Sequence, residues 1–225
     1  MGKRISWWVA APIILAVLAA TGWWAATRWH PSTQDYPIQG ILVDDHDGPL
    51  DWPTLAAVPA DFAYIRATMG AEARDPRFAA NWRGAAAAGM RRGVLHDYSL
   101  CQLAADQAGN LVTTVPRDAD ALPAVVSVSF DESCAARPDR AVLVGELGRF
   151  IAAVETHTGK PMLLRETPEV EAHYHLSNDV ARPVWSIGRF FPPAYAARPW
   201  RVWEATDLRR TDGAEGPLRW LAVAR

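Results

Sequence analysis

Between Gly40 and Leu164, short β-branched runs alternate with stretches of helical period, and no other feature of the sequence limits the fold as strongly. Gly40 to Val43, Phe62 to Ala67, Val94 to Asp97, Ala124 to Asp131 and Met162 to Leu164 read as strands. Between them, Pro76 to Ala88 opens on proline and is stopped by Gly89, and Leu100 to Thr113 is helix-compatible. Pro138 and Asp139 start the clearest helix, in which Val142, Leu143, Leu147, Phe150, Ile151 and Val154 recur at helical spacing until Gly159. Strands joined through helices pair in parallel, because a parallel connection needs a long crossover. After a further helix at Pro168 to His175, the strands Val184 to Ile187, Trp200 to Ala205 and Leu218 to Val223 follow with little between them. The expected fold is α/β, a TIM-like β/α barrel with its late helices missing, over residues 40–225.

The strand Ala124 to Asp131 carries the sharpest expectation about chemistry. Side chains alternate along a strand, so Ser127, Ser129 and Asp131 share one face and Val126, Val128 and Phe130 the other. Two small hydroxyls thus point where a barrel keeps its reacting groups.

No charged residue occurs from Ile5 to Thr27, a run long enough to cross a hydrocarbon core of about 30 Å at about 1.5 Å per residue. It reads as a transmembrane signal anchor over residues 5–27. Trp7 and Trp8 at one end and Trp23, Trp24 and Trp29 at the other match interfacial belts. Lys3 and Arg4 favour a cytoplasmic terminus at residues 1–4, which puts the globular part outside the cytoplasm, periplasmic or at the cell surface. The competing reading is a cleaved signal peptide with Leu18 to Thr21 as the cleavage region. Residues 28–39 read as a linker that spans about 40 Å when fully extended, so the domain works close to its membrane. A net charge of -2 with interspersed signs gives no footing for a nucleic-acid partner.

Three stretches resemble family 25 glycoside hydrolases, the lysozymes that cut peptidoglycan after N-acetylmuramic acid. Gly40 to Trp52, reading Gly-Ile-Leu-Val-Asp-Asp-His-Asp-Gly-Pro-Leu-Asp-Trp, is similar to the family opening Gly-Ile-Asp-Val-Ser, two variable positions, Gln-Gly, then Ile-Asp-Trp. Asp61 to Thr68, with Asp75-Pro76-Arg77-Phe78 and Asn81, resembles its second strand and helix, and Trp203 to Asp207 its Trp-Gln-Tyr-Ser-Asp strand. The resemblance implies an eight-stranded β/α barrel that has lost some late helices, in agreement with the order of elements. It also implies catalytic carboxylates that this sequence lacks. The first-strand aspartate falls at Leu42, the fourth-strand Asp-x-Glu pair at Ser127 and Ser129, the glutamate after the second strand at Met69, and the late Asp-x-Asn at Arg219 and Leu221. The glutamine of Trp-Gln-Tyr is Glu204.

Glycoside hydrolysis needs one carboxylic acid to protonate the leaving oxygen and a second carboxylate at the anomeric carbon. A serine hydroxyl supplies neither, and no nucleophile elbow surrounds Ser127 or Ser129. The expectation is a non-catalytic, membrane-anchored domain that holds a peptidoglycan glycan strand or an envelope protein. Two alternatives stay open: an active muramidase using displaced carboxylates among Asp97, Asp131 and Glu204, and a protein-interaction scaffold without glycan affinity. Asp44, Tyr64, His96, Trp185 and Trp203 are the candidate cleft residues, the aromatic ones by stacking on sugar rings. Arg219 is expected to fill the old site by pairing with Glu204 or Asp131. His46 and His96 with Asp44 and Asp97 lack the spacing of a metal site, so no metal or cofactor is expected. Cys101 follows the third strand and Cys134 the fourth, so neighbouring loops of a parallel barrel make a disulfide plausible in an oxidising compartment; two free thiols in a reducing one is the other reading.

Overall fold

The computed structural model of the chain describes residues 7–225, with side chains from Ala11 onward. The expectations placed on residues 1–6 therefore lie outside the described residues. Helix α1 (Trp7–Arg28) is long and apolar enough to cross a membrane, with a mean hydropathy of 1.2 over Ala11–Arg28, and little of that stretch is buried. The barrel follows as β1 (Gln39–Val43), α2 (Trp52–Leu55), β2 (Phe62–Met69), β3 (Ala73–Arg74), α3 (Phe78–Ala87), β4 (Arg91–Tyr98), α4 (Ala104–Thr114) and β5 (Val125–Val128). It continues through α5 (Arg140–Thr158), β6 (Leu163–Glu166), α6 (Pro168–Tyr174), α7 (Leu176–Asp179), β7 (Val184–Ile187), β8 (Trp200–Arg209) and β9 (Leu218–Val223).

Strand β1 pairs with both β2 and β9, so the sheet closes into an eight-stranded barrel, with the two-residue β3 added beside β2. Apart from the short β3, which is antiparallel to β2, the strands from β1 to β8 run parallel, joined by long crossovers that are helical except between β7 and β8. Strand β9 is antiparallel to both β8 and β1. It returns through a short loop, which is why no helix is needed there.

Two apolar layers hold the barrel. The inner one is Leu42, Phe62, Tyr64, Leu95, Val125, Leu163, Trp185, Val202 and Leu221. The outer one puts residues such as Ile41, Ile65, Val94, Val126 and Leu164 against the helices. Helix α5 lies on it through Leu143, Leu147, Phe150, Ile151 and Val154, each side chain contributing about 1.5–3 kcal/mol by burial. Val142, expected on that face, is 54% exposed and points away. Gly159 ends the helix in the left-handed conformation at φ +71°, where a side chain would be strained.

Residues 29–38 fold down onto the outside of the barrel instead of hanging free. Tyr36 packs edge-on to Trp203 at 5.5 Å, and Trp29 lies 5.1 Å from Phe190 and 6.1 Å from Trp203. The Gln39 amide donates to the carbonyls of Pro31 (2.9 Å) and Tyr36 (3.0 Å), and its oxygen accepts from Trp220 Nε1 (2.6 Å). This strap covers the outer face of β8 and β9, where no crossover helix exists to do so.

Candidate active site at the barrel mouth

Alternation along the strands decides which side chains reach the interior. On β1, Gly40 and Leu42 face inward, and Asp44, one step beyond, stands at the rim of the C-terminal mouth. Above the inner apolar layer the same parity brings Arg66 of β2, Asp97 of β4, Ser127 of β5, Arg165 of β6, Glu204 of β8 and Arg219 of β9 to that mouth. The mouth is therefore lined by three guanidiniums and several carboxylates.

These charges are paired with one another. Arg219 donates to Asp44 at 2.7 Å and lies 4.0 Å from Asp47. Arg66 reaches Asp44 (3.4 Å), Asp75 (3.2 Å) and Asp97 (3.8 Å), and also donates to Asp45. Arg165 donates to Glu204 at 2.9 Å and to Ser127 Oγ at 2.9 Å. Arg66 and Arg165 are nearly buried, with side-chain exposures of 11% and 12%, so their charges are poorly hydrated and held by these partners.

Burial alone would raise the Asp44 carboxyl, but Arg219 and Arg66 beside it offset this and leave it below the usual carboxylate range. Asp47, in the same turn, is pushed up by burial. Asp131 is held low by the backbone N–H and side chain of Ser133, the wrong direction for a proton donor at neutral pH.

The structure places the expected site residues in three groups. Asp97, Ser129 and Asp131 line one open cavity of about 530 Å³ together with Arg66 and Met69. Strand β5 ends at Val128, short of the Asp131 expected from the sequence, so Ser129 and Asp131 belong to the loop above it, where they line the mouth with Arg66 and Asp97. Tyr64 and Trp185 are inside the barrel but below the mouth, packed edge-on at 5.0 Å, with Trp185 fully buried. Stacking on a sugar at the mouth is closed to them.

Two expectations are corrected outright. His96 lies on the outer face of β4, bonded to Thr68 Oγ1 (2.7 Å) and Gln107 (3.2 Å) and stacked on Phe150 at 4.7 Å. Burial lowers its pKa to about 4, as suits a neutral core imidazole. Trp203 likewise faces outward under the strap, its Nε1 donating to the Gly188 carbonyl. Both strands present their opposite parity to the barrel, through Leu95 and Asp97 on β4 and Val202 and Glu204 on β8. Arg219 does enter the site, but its partner is Asp44; Glu204 is taken by Arg165.

Arg66 and Arg165 went unassigned in the sequence, although Arg66 stands within the quoted second-strand motif and Arg165 shares parity with the inward Leu163. Asp44, Asp45 and His46 bring possible ligand atoms within 4.8 Å of one another. Both carboxylates of that turn already face guanidiniums, those of Arg66 and Arg219. His96 is remote from it. Cys101 and Cys134 form a disulfide with a Cα–Cα distance of 5.9 Å, tying the loops after β4 and β5 beside the cavity.

The sequence model described as "Glycosyl hydrolases family 25" matches residues 41–213. The uncharacterized protein YegX of Escherichia coli is 28% identical over 190 residues, covering 81% of this chain and 68% of its own length. Among solved structures, a family 25 glycosyl hydrolase from Bacillus anthracis superposes with a TM-score of 0.79 at 28% identity, over 87% of this chain and 92% of that one. The bacterial lysozyme from Streptomyces coelicolor does so with a TM-score of 0.74 at 23% identity, over 83% and 91%.

Proposed function

This chain belongs to glycosyl hydrolase family 25, and from that premise we propose that it is a membrane-anchored, lysozyme-like domain of the cell envelope that holds a peptidoglycan strand or an envelope protein without cutting glycan. One observation carries this reading: the mouth that would host the chemistry is filled by arginine–carboxylate pairs. Catalysis by this route needs an acid with a free proton and a carboxylate opposite it. Asp44 and Glu204 are neutralised by Arg219 and Arg165, while Leu42 and Ser127 offer no charge. An oxocarbenium-like transition state would also meet three guanidiniums.

A second reading has one observation in its favour, since Asp97 and Asp131 line the same open cavity and Asp97 is partly exposed. Full-length protein in detergent, incubated with purified peptidoglycan from acid to neutral pH, separates the two. Turbidity and soluble muropeptides at background fit a holding role. Release that disappears in Asp97→Asn or Asp131→Asn establishes the muramidase.

Glycan binding is read separately from turnover, because backbone and polar contacts hold a sugar after the acid is gone. Muropeptide chains that shift tryptophan fluorescence support a glycan partner. No shift from a folded protein moves the assignment to a protein partner.

A further inference from the structure

Helix α1 does not end in solvent. The carbonyls of Thr27 and Arg28, which a helix C-terminus leaves without intrahelical partners, accept from Arg210 N (2.7 Å) and Arg209 Nη1 (2.6 Å) at the end of β8. The junction forms an open pocket of about 440 Å³ lined by Trp24, Arg28, His30, Arg209 and Arg210, with Asp212 the one acid among its lining residues.

Arg209 is the unusual member. It is only 9% exposed, its guanidinium lies 4.2 Å from the centre of the Trp220 ring, and its Nε has no hydrogen-bond partner. Among the described residues no carboxylate pairs with Arg28, Arg209 or Arg210, although every guanidinium at the mouth is paired. A buried guanidinium that no carboxylate meets, beside a cavity, is a donor set suited to an anion, since desolvation is repaid only when the charge is met. Burial also draws the Arg209 pKa down, in keeping with a charge that lacks a partner. Arg28 completes the wall, its guanidinium 5.0 Å from the Trp24 ring in the last turn of the apolar helix.

We propose that this junction is a binding site for the phosphate of an anionic phospholipid headgroup. Location selects the source: Trp23, Trp24 and Arg28 close the apolar helix where an interfacial belt and phosphate layer would lie, and arginine forks match phosphate oxygens. The proposal rests on the reading that α1 is embedded in a membrane. With the lipid bound, the helix end, the strap and β8 are tied together by one ligand.

The test uses full-length protein in nanodiscs of phosphatidylcholine alone or with phosphatidylglycerol, reading thermal unfolding and, by native mass spectrometry, retained lipid. Wild type should be stabilised by phosphatidylglycerol and retain it preferentially. The preference should fall roughly fivefold for each charge removed in Arg209→Gln and Arg210→Gln. Because Arg209→Gln also loses its stacking on Trp220, the exposed Arg210→Gln serves as the variant whose folding is not in question. Equal retention by wild type and Arg210→Gln, or no preference in wild type, overturns the proposal. Stabilisation of the same size by inorganic phosphate in neutral detergent shows a free-anion site and overturns the lipid assignment. Carbonate extraction of native membranes tests the anchoring separately: a protein that stays with the membrane but shows no lipid preference refutes the site alone, whereas a released protein refutes the anchor.

Discussion

Arg219 and Leu42 are paired across the seam between β9 and β1, and the Arg219 guanidinium meets Asp44, just past the end of β1, at 2.7 Å. A carboxylate thus stands just past the end of the first strand, two residues beyond Leu42, where the resemblance implies the family's aspartate. There it holds an arginine.

Loss of that pair should weaken the barrel. Arg219→Ala leaves Asp44, whose side chain is 9% exposed, with Arg66 as its remaining cation, and is expected to cost about 1–3 kcal/mol. Asp44→Ala together with Arg219→Ala should cost less than the sum of the two, which thermal unfolding of the four proteins checks as a cycle. The folded pKa of Asp44 lies below its unfolded value, so its contribution is present above about pH 4 and lost as the pH falls through the folded pKa. Arg219→Ala should flatten that acid limb. An unchanged limb would mean that other carboxylates carry it.

Glu166 should behave in the opposite sense. It is buried on the outer face of β6 with both oxygens unpartnered, and Glu171 nearby is occupied with Ser177. Burial, with the Glu171 charge, raises its pKa to about 9. A carboxyl that keeps its proton in the folded state but loses it on unfolding near pH 4.3 makes stability fall as the pH rises between about 4.3 and about 9. Glu166→Gln removes that penalty. Its melting temperature should exceed wild type at pH 8 and match it at pH 4; a variant equal to wild type at both would show that Glu166 is ionised in place.

Reduction should destabilise the mouth. The Cys101–Cys134 bond joins positions 33 apart in sequence and is expected to contribute about 3–4 kcal/mol, mostly by restricting the unfolded chain. Thiol labelling before and after reductant, followed by thermal unfolding, measures it. Protein isolated with both thiols free would place the domain in a reducing compartment.

The strap should count as part of the domain. Removing residues 29–39 uncovers Trp203 and Trp200 and leaves Trp220 Nε1 without its acceptor. A chain begun at Gly40 should therefore melt below one begun at Trp29 and bind more hydrophobic dye, and Trp29→Ala should reproduce part of the loss.

The barrel was legible because alternating strands and helices leave few ways to close a sheet, and each inner residue of β1 could be counted from Gly40. The site was legible only up to the ends of strands. Nothing in Val-Val-Ser-Val-Ser-Phe-Asp marks Val128 as the last paired residue, since pairing depends on Tyr98 and Glu166 in two other strands. His96 and Trp203 were misplaced for a related reason. A parallel strand is apolar on both faces, so its residues do not announce which parity enters the barrel. Motif and parity marked the positions of Arg66 and Arg165 but not their role, because a cation becomes a site residue only through partners that lie far away in the sequence.

Gln39 also decides how the molecule bears load. If the barrel grips a wall polymer while its helix sits in a bilayer, relative movement of the two pulls on the chain between them. That pull enters through residues 29–38 and arrives at Gln39, whose side chain is fastened to the strap on one side and to Trp220 on the other. From there it runs into the hydrogen bonds joining β1 to β9 and β2. Because the helix end is also bonded to Arg209 and Arg210 of β8, such tension would be shared between that strand end and the β1 seam that Arg219 and Asp44 lock.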